Sequence, residues 1–361
     1  MSELKVQQCR LDGRYDILEC LGRGSYAEIY LATDEAADGG PQRVVIKALN
    51  THLQGYPDAD LERTLIENFR NEALALDRVR HPNIINRLGH GTAIDLTGRT
   101  FHYLVLEYMP GGDMQALCRR HPLSLQDAVF YLEQIGAGLE HAHASGVIHR
   151  DVKPSNLLLT GDHSLVKIAD FGVAKIEAAD GAITRVGTDV YAAPEHHPLA
   201  HTGQLDAGLA LARGRQLTPA ADVYSLAKTA YMLLTGEAPR RFSQRRISEL
   251  PEEVSGEPWA PFVTRVLGRA TETNPAERYQ TVREFREDLR DALLPHTRLL
   301  TPNGPRPSPA VAPARGDNNN SAHQSVAPGF TPDAPPAPTF EPAAAPAPPG
   351  VRTAARPRIV V

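Results

Sequence analysis

Cysteine is nearly absent from this chain of 361 residues: there are three, Cys9, Cys20 and Cys118, with no CxxC pair and no histidine spacing that would complete a zinc site. That argues against a disulfide-stapled scaffold and a structural zinc module, and fits a reduced, cytoplasmic setting. Excess charge is scarce too. Against 38 Lys and Arg stand 43 Asp and Glu, a net charge of -5, so a nucleic-acid grip built on bulk charge is not expected. Long hydrophobic runs are missing: nowhere do about 18 apolar residues follow one another, and Met1–Gly13 mixes charge and polarity. Neither a membrane span nor an export signal is expected. What remains is an ordinary globular composition, 42% apolar, with enough chain for one large domain or two medium ones.

The composition changes near Pro295. Half of the 30 prolines lie beyond Leu300, interrupted by Asp317-Asn318-Asn319-Asn320. Such a stretch buries too little apolar surface to offset its chain entropy, so residues 299–361 read as a disordered Pro/Ala-rich tail. Pro332-Asp333-Ala334-Pro335 could dock in a polyproline groove, but a linker is the better reading. Ahead of the tail, Tyr15–Leu21, Ile29–Thr33, Val44–Leu49 and Phe101–Leu106 read as strands. A helix is expected between Leu61 and Val79, where Leu65, Phe69, Ala73, Leu76 and Val79 recur at helical spacing. From Ser124 onward helices dominate: Ser124 with Asp127 resembles a capping box, and Val129, Leu132, Ile135 and Leu139 share one face. A small β-rich half followed by a larger helical half implies a cleft between them.

The chemistry lies along that cleft. Leu21-Gly22-Arg23-Gly24-Ser25-Tyr26-Ala27 falls between two strands, where glycines let backbone N–H groups approach a polyphosphate, although a plain hairpin turn would look the same. In Val44-Val45-Ile46-Lys47 a cation sits in an apolar run and needs a negative partner, either a structural ion pair or a phosphate. Glu72, on the amphipathic helix, is a candidate, with a solvated face as the plainer alternative. The decisive stretch is His149-Arg150-Asp151-Val152-Lys153-Pro154-Ser155-Asn156, followed by Asp170-Phe171-Gly172. Phosphoryl transfer needs a carboxylate to take a hydroxyl proton, a cation for the phosphoryl group and oxygen ligands for magnesium; Asp151, Lys153, Asn156 and Asp170 supply these in order.

With these motifs in this order, the chain resembles the eukaryotic-type Ser/Thr protein kinases, and among them the bacterial cytosolic members, over about 280 residues. The resemblance implies an α+β, bilobal fold. It would comprise an N-terminal extension (1–14), an N-lobe (15–107), a helical C-lobe (108–298) and the tail. It implies ATP and Mg2+ as cofactors, protein Ser/Thr hydroxyls as acceptors, and self-association for autophosphorylation. Gly22 and Gly24 correspond to the phosphate-covering loop, Lys47 to the ATP lysine and Glu72 to its partner. Asp151 becomes the base, Lys153 the stabiliser of the γ-phosphoryl group, and Asn156 and Asp170 the metal ligands. Backbone at Glu107 and Met109 would bond the adenine, Leu21, Ile29, Val45 and Leu158 would enclose it, and Asp113 matches a ribose-binding acid. Thr188 matches a residue that contacts the base, Glu195 and Arg278 a structural ion pair, and Asp222 the anchor of the catalytic loop. Arg150 matches an arginine that pairs with a phosphorylated activation-segment residue, for which Thr184 is the best-placed acceptor.

Three features depart from the pattern. Ala27 replaces the third loop glycine, Val45 replaces the usual alanine, and Leu199–Thr218 reads as an insert near where protein substrates dock. The first two restrict the loop and narrow the adenine site without removing a catalytic group. His196, His197 and His201 lack a completing ligand, so a loop that shapes substrate choice is preferred over a metal site. The alternative to an active enzyme is a pseudokinase, a kinase-shaped module that only positions partners.

Overall fold

Alternation builds the upper half. Along the strand that carries Lys47, Val44, Ile46 and Ala48 are buried on one face while Val45 and Lys47 are half-buried on the other, the period of two that a pleated strand imposes. The computed structural model describes residues 3–6, 9–120, 122–171, 190–196 and 218–297. Thr184, Thr188, residues 199–217 of the insert and the tail 299–361 lie outside the described residues.

Strands β1 (Arg10–Leu11), β2 (Tyr15–Arg23), β3 (Ala27–Asp34), β4 (Gln42–Leu49), β5 (Arg87–Ile94) and β6 (Thr100–Glu107) form one antiparallel sheet in the order β1-β2-β3-β4-β6-β5. On its outer face Tyr30, Ala32, Val44, Ile46, Tyr103 and Val105 pack with Leu4, Val6, Cys9 and Leu11. Those last four belong to the segment expected to precede the domain; here it lies on the sheet as part of the upper core. The inner face contributes Leu49, Leu104 and Leu106 to a core shared with Leu65, Phe69 and Leu76 of α1 (Ala59–Arg78). Helix α1 starts where Asp58 Oδ1 accepts the Leu61 N–H at 2.7 Å, and Asp60 and Glu62 in its first turn suit the positive end of the helix dipole. Beyond it the chain is bolted to the lower half: Ile168 N–H donates to Asn83 O and Ile85 N–H to Ile168 O, both at 2.9 Å.

The lower half holds α2 (Met114–Arg120), α3 (Leu125–Ala144), the hairpin β7 (Leu157–Leu159) and β8 (Val166–Ile168), then α4 (Pro219–Thr235), α5 (Glu252–Ser255), α6 (Ala260–Ala270) and α7 (Val282–Thr297). At the start of α3, Ser124 Oγ accepts the Asp127 N–H at 3.1 Å and donates to Asp127 Oδ2 at 2.7 Å. The cap is therefore closed by the hydroxyl and not by the reciprocal backbone bond of a capping box. Gly138 lets α3 lie against β8, because a Cβ there would stand 2.9 Å from Ile168 Cδ1 and 3.0 Å from Asn83 O. In α4 every residue from Ala220 to Leu234 is buried; a helix with no water-facing side is the axis on which the rest of the lobe packs. Gly236 ends it at φ 75°, its N–H bonding Met232 O at 2.8 Å. The architecture is the expected α+β, two-lobed one.

Candidate active site

The site is organised from below by one buried carboxylate. Asp222, in the first turn of α4 and 0% exposed, accepts the N–H groups of His149 (2.8 Å) and Arg150 (2.7 Å) and the Nε2–H of His143 (2.8 Å). Burial pushes its carboxyl up, yet the His143 hydrogen bond and the His149 amide overcome this and hold it below the usual carboxylate range. Grip on two successive amides holds Arg150 at φ 69°, a left-handed conformation that side-chain-bearing residues seldom adopt unsupported. His149 adds a second tie. Its Nδ1 receives the Asp151 N–H (3.2 Å) and its Nε2 faces Ala169 O (2.9 Å); an amide only donates and a carbonyl only accepts, so the ring is neutral with its proton on Nε2. Its ring centre lies 4.6 Å from that of the buried Phe171, in an edge-to-face arrangement.

On this turn Lys153 Nζ donates to Asp151 Oδ2 at 2.6 Å, and Asn156 Nδ2 donates to Asp151 O at 2.8 Å and to Oδ2 at 3.2 Å. With its amino group committed to Asp151, Asn156 keeps its carbonyl oxygen for a hard cation. Asn156 O in turn accepts the Ala169 N–H at 2.8 Å, tying the loop to the strand end that carries Asp170, itself at φ 59°.

From above, Lys47 Nζ reaches Glu72 Oε1 at 2.6 Å and Oε2 at 2.9 Å, and Asp170 Oδ1 at 2.5 Å. Burial alone would push the Lys47 ammonium down; Asp170 and Glu72 hold it above its ordinary value. Asp170 is lowered by Lys47, whereas Glu72, the more deeply buried partner, is raised by desolvation in spite of it. One cation and two carboxylates from three elements thus meet at a single point.

The expected nucleotide pocket lies on the inner face of the sheet. Ile29 pairs with Lys47 across β3 and β4, and Val45 is half-buried beside them. Leu158 on β7 is half-buried, Met109 is buried and Leu21 is 47% exposed. At Gly22 an added Cβ would meet no protein atom, and at Gly24 only Ala27 O at 3.7 Å. Crowding within the protein does not demand these glycines, which leaves room for an outside group to come close to the backbone. The Glu107 carboxylate takes the Asn86 N–H (2.6 Å) and Lys167 Nζ (2.8 Å). Asp113 Oδ1 caps α2 through the Ala116 N–H (2.7 Å), so one oxygen of the expected ribose acid has a structural duty.

Glu195 and Arg278 form a two-pronged pair at 2.7 and 2.8 Å, the guanidinium also lying 4.8 Å from the Tyr224 ring centre. Arg150 and Arg78 line a hollow of about 220 Å³ beside Asn71 and Val147. The ties made by His143, His149 and Tyr224 had not been read from the sequence. His143 lies 79 residues from its partner, and no local spacing announces such a contact.

Comparison with known proteins agrees with this geometry. The protein kinase domain family matches residues 15–285. The chain belongs to that family. Serine/threonine-protein kinase PknA of Mycobacterium tuberculosis is 32% identical over 318 residues, covering 84% of this chain and 68% of PknA. A Corynebacterium efficiens protein named among the serine/threonine-protein kinases is 29% identical over 317 residues, with 83% of this chain but 56% of that protein covered. Pkn1 of Myxococcus xanthus is 31% identical, and this chain spans 39% of it. Among solved structures, the PknI kinase domain of M. tuberculosis superposes with a TM-score of 0.56 at 24% identity, covering 79% of this chain and 98% of that one; it shares the fold. Kinase-family membership brings with it the use of ATP and a divalent metal. Among the described residues no helix is long and apolar enough to cross a membrane.

Proposed function

We propose that this chain transfers the γ-phosphoryl group of MgATP to serine or threonine hydroxyls of proteins in the cytoplasm, its own hydroxyls among them when two copies meet. The observation that carries this reading is the convergence of Asp151, Lys153 and Asn156 on one loop with the Lys47–Glu72–Asp170 cluster from above. Asp151 takes the proton of the acceptor hydroxyl as its oxygen bonds the γ-phosphorus and the bond to the bridging oxygen breaks, releasing ADP. Lys153, 2.6 Å from Asp151, lies beside the acceptor and offsets charge on the transferring group. Lys47 can exchange a carboxylate for nucleotide phosphates while Glu72 keeps it aimed.

The donor set suits magnesium. Among the described residues no three His, Cys, Asp or Glu side chains gather as a ready-made cage; Asn156 and Asp170 would instead hold the ion with two protein oxygens, as suits a cation bound together with nucleotide phosphates. When bound it neutralises charge between the phosphates. The thiols of Cys9, Cys20 and Cys118 fit the cytoplasmic setting. The hollow shared by Arg78 and Arg150 suits a phosphate on Thr184, the proposed switch. Residues 15–298 are proposed as the catalytic domain, the insert as a substrate-selecting loop and the tail as a linker.

The test is incubation of the purified protein with MgATP beside Asp151→Asn, with mass mapping of phosphorylated residues. Phosphate on Ser or Thr is expected in the parent, reduced about 10²–10⁴-fold in the variant. Equal low labelling of both, with added protein acceptors also unlabelled, would overturn the reading.

A further inference from the structure

Among the buried ionisable side chains outside the site, Glu28 has the most consequential position. Glu28 stands on β3 directly after the glycine hairpin and is 0% exposed. Four donors surround it. Oε1 accepts the Leu4 N–H at 2.9 Å and Asn50 Nδ2 at 2.6 Å, while Oε2 accepts the Tyr30 hydroxyl at 2.9 Å and Arg23 Nε at 3.3 Å. An ionised carboxylate has about four such acceptor positions, so this side chain is a filled junction. Burial and the adjacent carboxylate raise the Tyr30 phenol, which keeps it a donor.

The four donors belong to parts that must move together. Arg23 lies between Gly22 and Gly24, and its Nη2 also pairs with Glu3 at 3.1 Å. Asn50, besides its side-chain bond to Glu28, donates its own N–H to Tyr26 O at 2.9 Å, gripping the hairpin tip. Leu4 belongs to the N-terminal strap on the outer face, which is moored independently by Lys5 N–H to Asp95 Oδ2 (3.1 Å), by Leu96 N–H to Lys5 O (3.2 Å) and by burial of Leu4, Val6, Cys9 and Leu11. A hairpin of glycines has little stiffness of its own. Here its stiffness comes from a strap on the opposite side of the sheet, passed through one carboxylate.

We propose that Glu28 is a positioning residue through which the N-terminal strap sets the nucleotide-covering hairpin, so that docking of the strap tunes the affinity for nucleotide. This rests on the reading of that hairpin as a nucleotide cover. Anything that lifts the strap, such as a partner that binds the segment around Leu4, loosens nucleotide binding without touching Asp151, Lys153 or Asn156.

Three full-length proteins test it: Glu28→Gln, Leu4→Pro, which lacks the amide proton given to Glu28, and the double variant. Each is compared with the parent by calorimetry with MgADP, by kcat and KM for MgATP, and by amide exchange without nucleotide at Gly24 and Asn50, whose N–H groups bond Ala27 O and Tyr26 O. Each single change is expected to raise Kd and KM about five- to tenfold with kcat within about twofold, and to speed exchange at both amides. Because both act through one junction, the double variant should match Glu28→Gln alone. Should thermal melting show that Glu28→Gln does not fold, Arg23→Gln cuts the same link from its exposed end. Unchanged exchange and Kd in the variants, strictly additive effects, or a fall in kcat at constant KM each overturn the proposal. Failure of the parent to bind MgADP would instead overturn the nucleotide reading, and the exchange data alone would then decide whether the strap holds the hairpin.

Discussion

Lys47 and Lys228 are both largely withdrawn from water, and they are treated in opposite ways. Lys47, in the upper lobe, keeps 12% side-chain exposure and lies against two carboxylates, which hold its ammonium above the ordinary value. Lys228, inside α4, is 0% exposed and has carbonyls for partners: Phe242 O and Arg245 O, each at 2.6 Å, with the Tyr224 and Phe242 rings 5.0 and 5.7 Å away. Desolvation lowers its pKa to about 7. The contrast separates a working charge from a structural one. An ammonium paired with side-chain carboxylates can change partners as ligands arrive, whereas an amine held by main-chain carbonyls can only fasten the loop that supplies them.

If that division holds, the largest effect comes from removing the working charge. Under the proposed chemistry Lys47→Met should lower kcat/KM for MgATP by about 10²–10³, with a circular dichroism spectrum like the parent's. Retention of near-parent turnover would break the comparison, since Lys47 would then be no more than a structural ion pair. Glu72→Gln should cost less, about tenfold in turnover, because Asp170 still faces Lys47 and the neutral side chain can still accept a hydrogen bond. Steady-state kinetics on the two variants side by side gives the order, and a larger loss for Glu72→Gln than for Lys47→Met would reverse the roles argued for them.

The same contrast explains which parts of the protein were legible in its sequence. Lys47 stands in an apolar strand with an acid on the next amphipathic helix, a local conflict that asks for resolution, and the spacing from Asp151 to Asn156 and on to Asp170 states a chemical requirement directly. Strands β2, β3, β4 and β6 and helix α1 were equally plain, because periods of two and of three to four residues are written locally, whereas β1 and β5 were not read. Glu28 and Lys228 carry no such mark. Glu28 shares the buried face of β3 with Tyr30 and Ala32, but its partners come from four separate places that no local spacing joins. The partners of Lys228 are carbonyls, which every residue has and no sequence identifies. The strap was illegible because, among its described residues, the buried positions 4, 6, 9 and 11 follow no regular period.

The smallest predicted effect concerns Lys228 and is read through pH. Unfolded, its ammonium titrates near the usual 10.5; folded, near about 7. Below pH 7 both states hold the proton and the folded state bears the full burden of the buried charge. Between about 7 and 10.5 the unfolded chain binds more protons than the folded one, so stability contributed at this site rises with pH, by about 1.4 kcal/mol per unit. Lys228→Met lacks this component and removes the donor that Phe242 O and Arg245 O share. Melting temperatures of the two proteins should therefore diverge in the parent's favour from pH 7 to 9, by a few degrees per unit. A gap that stays constant over this range would show that the carbonyls and rings keep the ammonium charged in the fold. Lys228 would then resemble Lys47 in charge, and the two lysines would differ only in whether their partners can be exchanged.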